Sequence, residues 1–277
     1  MTDLRWSSLR PAHKASVVCL LLLALALLLG PWLSPWGQEH IDWNAIDTPP
    51  SPTHWFGTDG SGRDLLVRTM AGGRVSLTIA VLATIVSFAI GLPWGAIAGF
   101  AGGRVDQLMM RIVDGLYGLP FMFLVILLVV FFGRNPYVLF IAIGAVSWLD
   151  LARIVRGQTL VVKNAMYIEA ARALGVTDLW IITRHVVPNV MGPASVYATL
   201  TIPGIIIAES FISFLGLGIQ EPQTSWGVLI ADGATRLHAP WQLIFPATFL
   251  AVTLLVLNVA GDQLREAMEP KKQGVRL

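Results

Sequence analysis

The sequence predicts an all-α membrane protein of about six transmembrane helices, and three observations carry that reading. Of its 277 residues 55% are hydrophobic and only 13% charged, with a mean hydropathy of +0.68, where soluble domains carry roughly 25% charged residues. Apolar runs near 20 residues recur, the length a helix needs to cross a hydrocarbon core of about 30 Å at about 1.5 Å per residue. Lys and Arg are also distributed unequally between alternate connections, as the positive-inside rule requires.

The first run, Ala15 to Leu33, follows Arg5, Arg10 and Lys14. The Pro31-Trp32-Leu33-Ser34-Pro35-Trp36 after it has no small-x-small cleavage pattern, so it reads as an uncleaved anchor. Further runs are Val75 to Ala101, Ile112 to Phe132, Tyr137 to Leu151, Val190 to Ala208 and Trp241 to Ala260. The fourth is the shortest, because Trp148 and Asp150 mark its end. With both termini in the cytoplasm, fourteen of the nineteen basic residues fall on that side, against Arg63, Arg68, Arg74, Arg134 and Arg236 outside. That places the long connection Ala152 to Asn189 in the cytoplasm. The other long connection, Ser34 to Arg74, lies outside, where Trp32, Trp36, Trp43 and Trp55 suit an interfacial belt. A boundary near Arg74 divides residues 1–74, an anchor and external loop, from a five-span core, 75–262, and a cytoplasmic tail, 263–277.

Several function classes drop out. A net charge of +2 does not indicate nucleic acid. A single Cys19 excludes an intrachain disulfide and a cysteine metal cluster. The histidines 13, 40, 54, 185 and 238 are scattered over both faces, so no metal site is expected. FGTDGSGRD, Phe56 to Asp64, fits neither a phosphate cradle nor a calcium loop, and its glycines suit a tight turn before a helix from Leu65. No Ser/His/Asp constellation clusters within the spans.

Four features carry chemistry or mechanics. Gly91, Gly95, Gly99 and Gly103 recur every four residues and form a face on which another helix backbone can approach closely, inside this chain or across a subunit boundary. Pro93 and Pro203-Gly204 are candidate kinks. Asp114 and Glu209 lie within or beside spans, where a carboxylate is a structural pair or lines a route. MYIEAARALGVTDLW, Met166 to Trp180, is too polar to span. Residues 164–174 read as a short helix closed by Gly175, with Thr177 or Asp178 opening a second helix that runs to Pro188. Tyr167, Ala171 and Leu174 share one face, Glu169 and Arg172 another. Such a helix is marginal alone in water and requires a surface: a separate protein, its own loops, or lipid.

Glu169-Ala170-Ala171, Gly175 and Val187-Pro188 resemble the EAA motif of the transmembrane subunits of binding-protein-dependent ABC importers. His185 and Val187 depart from the generic pattern, at positions where branched apolar residues and Leu are usual. HWFGTDGSGRDLLVRTMAGGRVSL, GGRVDQLMMR, SWLDLARIVRGQTL, ESFISFLGLGIQEPQTSWGVLIADG and GDQLREAMEP extend the resemblance, in order, to the C-type permeases of oligopeptide importers. The resemblance implies a type I permease fold in the bacterial inner membrane. It makes residues 164–175 a coupling helix, with Tyr167, Glu169, Ala170, Ala171, Leu174, Gly175 and Pro188 at the ATPase contact. The implied partners are a second permease chain, two ATPase chains and an external solute-binding protein. ATP and Mg would sit in the ATPases and no cofactor in this chain, which has no Walker A segment. A stand-alone secondary transporter or channel is the competing class; no inverted repeat supports it. Dipeptide, nickel and glutathione branches share similar permeases.

Overall fold

The protein is described from a computed structural model covering residues 11–268. Ten helices follow one another: α1 Pro11–Leu33, α2 Leu65–Ala101, α3 Gly103–Tyr117, α4 Phe121–Phe132, α5 Pro136–Val162, α6 Met166–Ala173, α7 Asp178–Ile181, α8 Val187–Phe214, α9 Trp226–Ala234 and α10 Trp241–Met268. Among the described residues the one β feature is an isolated bridge between Thr58 and Asp64. Arg5, Arg10, Lys271, Lys272 and Arg276, which enter the charge asymmetry, and the end of the 263–277 tail lie outside the described residues.

Among the described residues four helices are long and apolar enough to cross a membrane: α2, α5, α10, and α8 together with the turns leading into it. The third expected span is broken: α3 and α4 meet at 83° and pass as a span only together. Pro120, at φ −59° and ψ 126°, is the break, since it supplies no N–H and its ring disfavours helix before it. The apolar part of α1, Val18–Trp32, falls short of the length required of the others. The fourth span, expected to stop near Leu151, instead continues to Val162, because Arg153 and Arg156 beyond it find carboxylate partners on α3.

α2 and α5 form the spine. A Cβ on Gly91 would lie 2.9 Å from the Trp148 carbonyl oxygen, one on Gly99 2.8 Å from Thr159 Cβ, and one on Gly95 would overlap the Ala152 carbonyl oxygen. Gly144 answers from α5, where a Cβ would come 2.6 Å from the Ala83 carbonyl oxygen. The glycine face therefore packs inside this chain. Gly103 is not part of it: α2 ends at Ala101, Gly103 has φ +53°, and nothing lies within 4 Å of its Cβ position. The helix assignment runs through Pro93 and Pro203 without interruption.

At its other end α2 extends beyond a bilayer's need. Its 37 residues span about 55 Å, against a core of about 30 Å, and Leu65 to Gly73 are all buried. Asp64 caps it by accepting from the Val67 N–H at 3.0 Å. Residues 34–64 are folded onto this stem. His54 Nδ1 lies 2.9 Å from Asp64 Oδ2, and its ring stacks on Trp36 at 4.7 Å. Gly57 and Gly62, at φ +75° and +76°, make the expected turn. Trp32, Trp43 and Trp55 are exposed, while Trp36 is held by its indole N–H to the Thr53 carbonyl.

α1 docks through a proline defect. Pro31 has no N–H to give the carbonyl of Leu27 one turn back, and Arg74 Nε donates to that oxygen instead at 2.8 Å.

Candidate functional site

The hairpin between α5 and α8 is built from the end of α5. Lys163 Nζ donates to the Gly99 carbonyl at 3.0 Å, which fixes α5 to the end of α2. α6 then buries Ile168 and Ala171 against Phe100, Val155, Ile181, Val186 and Val190. The sequence reading put Ala171 on a face with Tyr167 and Leu174; the structure divides them. Ala171 faces inward with Ile168, whereas Tyr167 and Leu174 are exposed at 47% and 84%. Ile168 is the anchor that reading missed, although an i,i+3 pair of apolar residues marks it.

Glu169 and Ala170 lie on the exposed side. The helix closes in a Schellman arrangement: the Val176 N–H reaches the Ala171 carbonyl at 3.1 Å and the Gly175 N–H the Arg172 carbonyl at 2.9 Å. Gly175 has φ +76°, strained for any residue with a Cβ. Thr177 precedes α7 without a side-chain cap.

The second helix is not one α-helix to Pro188. α7 runs for four residues and passes through a π-turn, Ile182–Val186, before α8. Pro188, exposed in the first turn of α8, cannot donate to the Arg184 carbonyl, and the turn before it widens: the Val187 N–H reaches back to Ile182. His185, the departure from the family pattern, lies between Tyr167 (6.0 Å) and Trp180 (5.1 Å). With Met166, Leu174, Leu179 and Trp180 exposed at 86%, 84%, 72% and 48%, the hairpin presents an apolar surface while its opposite side is in the core.

The two acidic candidates separate. Asp114 is exposed at 64% and accepts from Arg153 Nη2 at 2.8 Å, so the structure places it in an ion pair between α3 and α5. Arg156 forms a two-pronged pair with Asp106 farther along α3, at 2.6 Å for Nη2. Glu209 is fully buried where α8 meets α2 and α9. Ser213 donates to its Oε1 at 2.7 Å, and Ser76 and Ser210 to its Oε2 at 2.8 and 3.4 Å. Ser76 also accepts from the Trp226 N–H at 3.4 Å, so one carboxyl ties together three helices.

A third acidic residue, Asp150, was read as the end of a span. It is the fifteenth of the 27 residues of α5, about 20 Å from either end. It lines a cavity of about 380 Å³ with Leu116 to Phe121 of the α3–α4 bend and with Val146 and Leu149.

At the opposite end of α2 Asp59 collects Arg63 Nε at 2.8 Å and Arg68 Nη1 at 3.0 Å, while Arg63 also reaches Glu221 at 2.7 Å. That hydrogen bond from Arg63 holds the Glu221 carboxyl below its ordinary range, and burial pushes the Asp232 carboxyl up. Asp47 accepts from Gln242 and Arg236 at 2.7 and 3.1 Å, clipping the 34–64 segment to α10. Among the described residues no three His, Cys, Asp or Glu side chains gather as a metal would require.

Comparison with known proteins fits this architecture. The profile of the family described as binding-protein-dependent transport system inner membrane component matches residues 91–274. The oligopeptide transport system permease protein OppC of Haemophilus influenzae is 52% identical, covering 94% of this chain and 85% of its own. The OppC of Escherichia coli K12 is also 52% identical, over 94% and 87%. The dipeptide transport system permease protein DppC of Bacillus subtilis is 44% identical, over 93% and 81%. Among solved structures, an inward-facing MetNI methionine ABC transporter aligns with a TM-score of 0.57 at 19% identity, over 72% of this chain and 95% of its own, a likeness of fold.

Proposed function

The chain belongs to the family of binding-protein-dependent transport system inner membrane components, and from that premise we propose that it is a permease subunit of an ATP-driven oligopeptide importer. The observation that carries the mechanical part is the hairpin: a buried Ile168–Ala171 side rooted in the α2–α5 spine, and an exposed apolar side that none of the described residues covers. An apolar patch of this kind is a docking surface, and the EAA resemblance names its partner as an ATPase. Tyr167, Glu169, Ala170, Leu174 and Gly175 then form or shape the contact, Ala171 anchors it from beneath, and Pro188 sets the turn into α8.

In this reading the chain makes no chemistry of its own. ATP and Mg are held by two partner ATPases, a second permease chain supplies the other half of the route, and an external binding protein delivers peptide. Closure of the ATPases moves the two hairpins together, and each hairpin carries its spine with it. The dipeptide branch remains a second reading of cargo on the strength of the Bacillus subtilis relative; binding of a peptide library to the cognate external protein decides between them.

Replacing Leu174 with Asp tests the coupling. Leu174 is 84% exposed among the described residues, so folding is expected to survive. In the assembled importer, uptake and peptide-stimulated ATP hydrolysis are expected to fall about tenfold or more, the scale of a central interface residue. Wild-type coupling in Leu174→Asp and also in Met166→Asp counts against the docking.

Orientation has its own measurement. With Cys19 first replaced by Ser, a cysteine at exposed Asn44 is expected to react with an impermeant thiol reagent in intact cells. One at Tyr167 is expected to react only after the membrane is opened. The reverse pattern inverts the topology.

A further inference from the structure

We propose that Asp150, on the wall of the cavity beneath the α3–α4 bend, is a transient binding station for cationic side chains of the cargo, the ammonium of lysine and the guanidinium of arginine. The inference rests on the peptide-permease reading and gives one residue of the route a chemical preference.

A carboxylate near the middle of a spanning helix is retained where it faces protein or a water-filled path, and it requires a counter-charge. Asp150 has the path: it is half-buried and borders a cavity of about 380 Å³. Its surroundings supply no committed counter-charge. Arg153, one turn along α5, is engaged by Asp114 at 2.8 Å and lies 4.1 Å over the Tyr117 ring. The partner left to Asp150 is the neutral Tyr117 hydroxyl. Asp114, Asp150 and Arg153 thus sum to a formal charge of −1, with the one guanidinium committed to Asp114.

The rest of the lining suits a visiting cation. Leu116, Val146 and Leu149 give the cavity apolar walls, which lower the local dielectric and strengthen any charge interaction made there. Beyond Asp150 and the Tyr117 hydroxyl the lining side chains are apolar, which keeps the stop brief, as passage requires.

The test uses the complete importer in liposomes, with its partner permease, ATPases and binding protein, and compares turnover of Lys-Lys-Lys with Ala-Ala-Ala at saturating binding protein. Asp150→Asn is expected to lower the tri-lysine to tri-alanine ratio about tenfold, and Asp150→Glu to hold it within about twofold of wild type. Tyr117→Phe, which removes the competing hydroxyl, is expected to raise the ratio. Because the ratio is internal to each preparation, protein yield cancels. Equal losses for both peptides, or an unchanged ratio, overturn the station and leave Asp150 a packing residue. If Asp150→Asn does not assemble, an unchanged ratio in Tyr117→Phe overturns it. A wild-type importer that moves neither peptide refutes the peptide-permease reading instead.

Discussion

Gly95→Ala is expected to cripple the protein while Gly157→Ala, the same chemical change on the facing helix, leaves it intact or slightly stabilised. At Gly95 the added Cβ overlaps the Ala152 carbonyl oxygen and meets Val155 Cβ at 2.7 Å and the Arg156 nitrogen at 2.9 Å. Two of these are backbone, and neither helix can yield without opening the seam along its length. Overpacking of a closed core costs roughly 1–3 kcal/mol, and a backbone clash belongs at the upper end. At Gly157 nothing lies within 4 Å, so the methyl group contributes up to about 1 kcal/mol of helix preference. Thermal unfolding in detergent measures both. Gly95→Leu is expected to yield no folded permease and no uptake. A Gly95→Ala protein as stable as Gly157→Ala would show that the α2–α5 contact is looser than described.

Glu209→Ala is expected to be the second most damaging change. It strands the Ser76, Ser210 and Ser213 hydroxyls in a fully buried site. At roughly 1 kcal/mol for each unsatisfied hydroxyl, the loss is about 3 kcal/mol before any cavity cost. Glu209→Gln keeps the shape, and serine hydroxyls can donate to its oxygen or accept from its amide, so stability near wild type is expected. Uptake is expected to follow stability in both variants. If Glu209→Gln folds normally yet loses transport, the carboxyl acts on the route itself and the packing account is wrong.

Hydropathy alone revealed the class and most of the helices, because spanning length is a local property of the chain. Where it misled, the cause was contact between distant residues. The fourth span looked short because Trp148, Asp150, Arg153 and Arg156 resemble the approach to water; Asp106 and Asp114, roughly 40 to 50 positions earlier, neutralise the two arginines and let the helix continue. The third span looked whole because window averaging hides Pro120 between two apolar stretches. The four-residue glycine spacing identified the seam but not its end, since Gly103 fits the spacing after the helix has stopped.

The inner hairpin was legible in its punctuation and not in its inside. Gly175 announced the turn, and the Schellman bonds are there. Which alternate residues point inward depends on where α2 and α5 lie, and on that point the short repeat of Ile168 and Ala171 was too brief to decide against Tyr167 and Leu174.

α2 begins at Leu65, next to Asp64 fixed to His54, and its far end carries Phe100, whose ring lies 4.6 Å from the Arg172 guanidinium of the hairpin. A single unbroken rod therefore links the folded 34–64 segment to the hairpin. Tilting it by about 10° around its centre displaces each tip by about 5 Å in opposite directions, so a shove delivered at one end is a swing at the other with no relay between them.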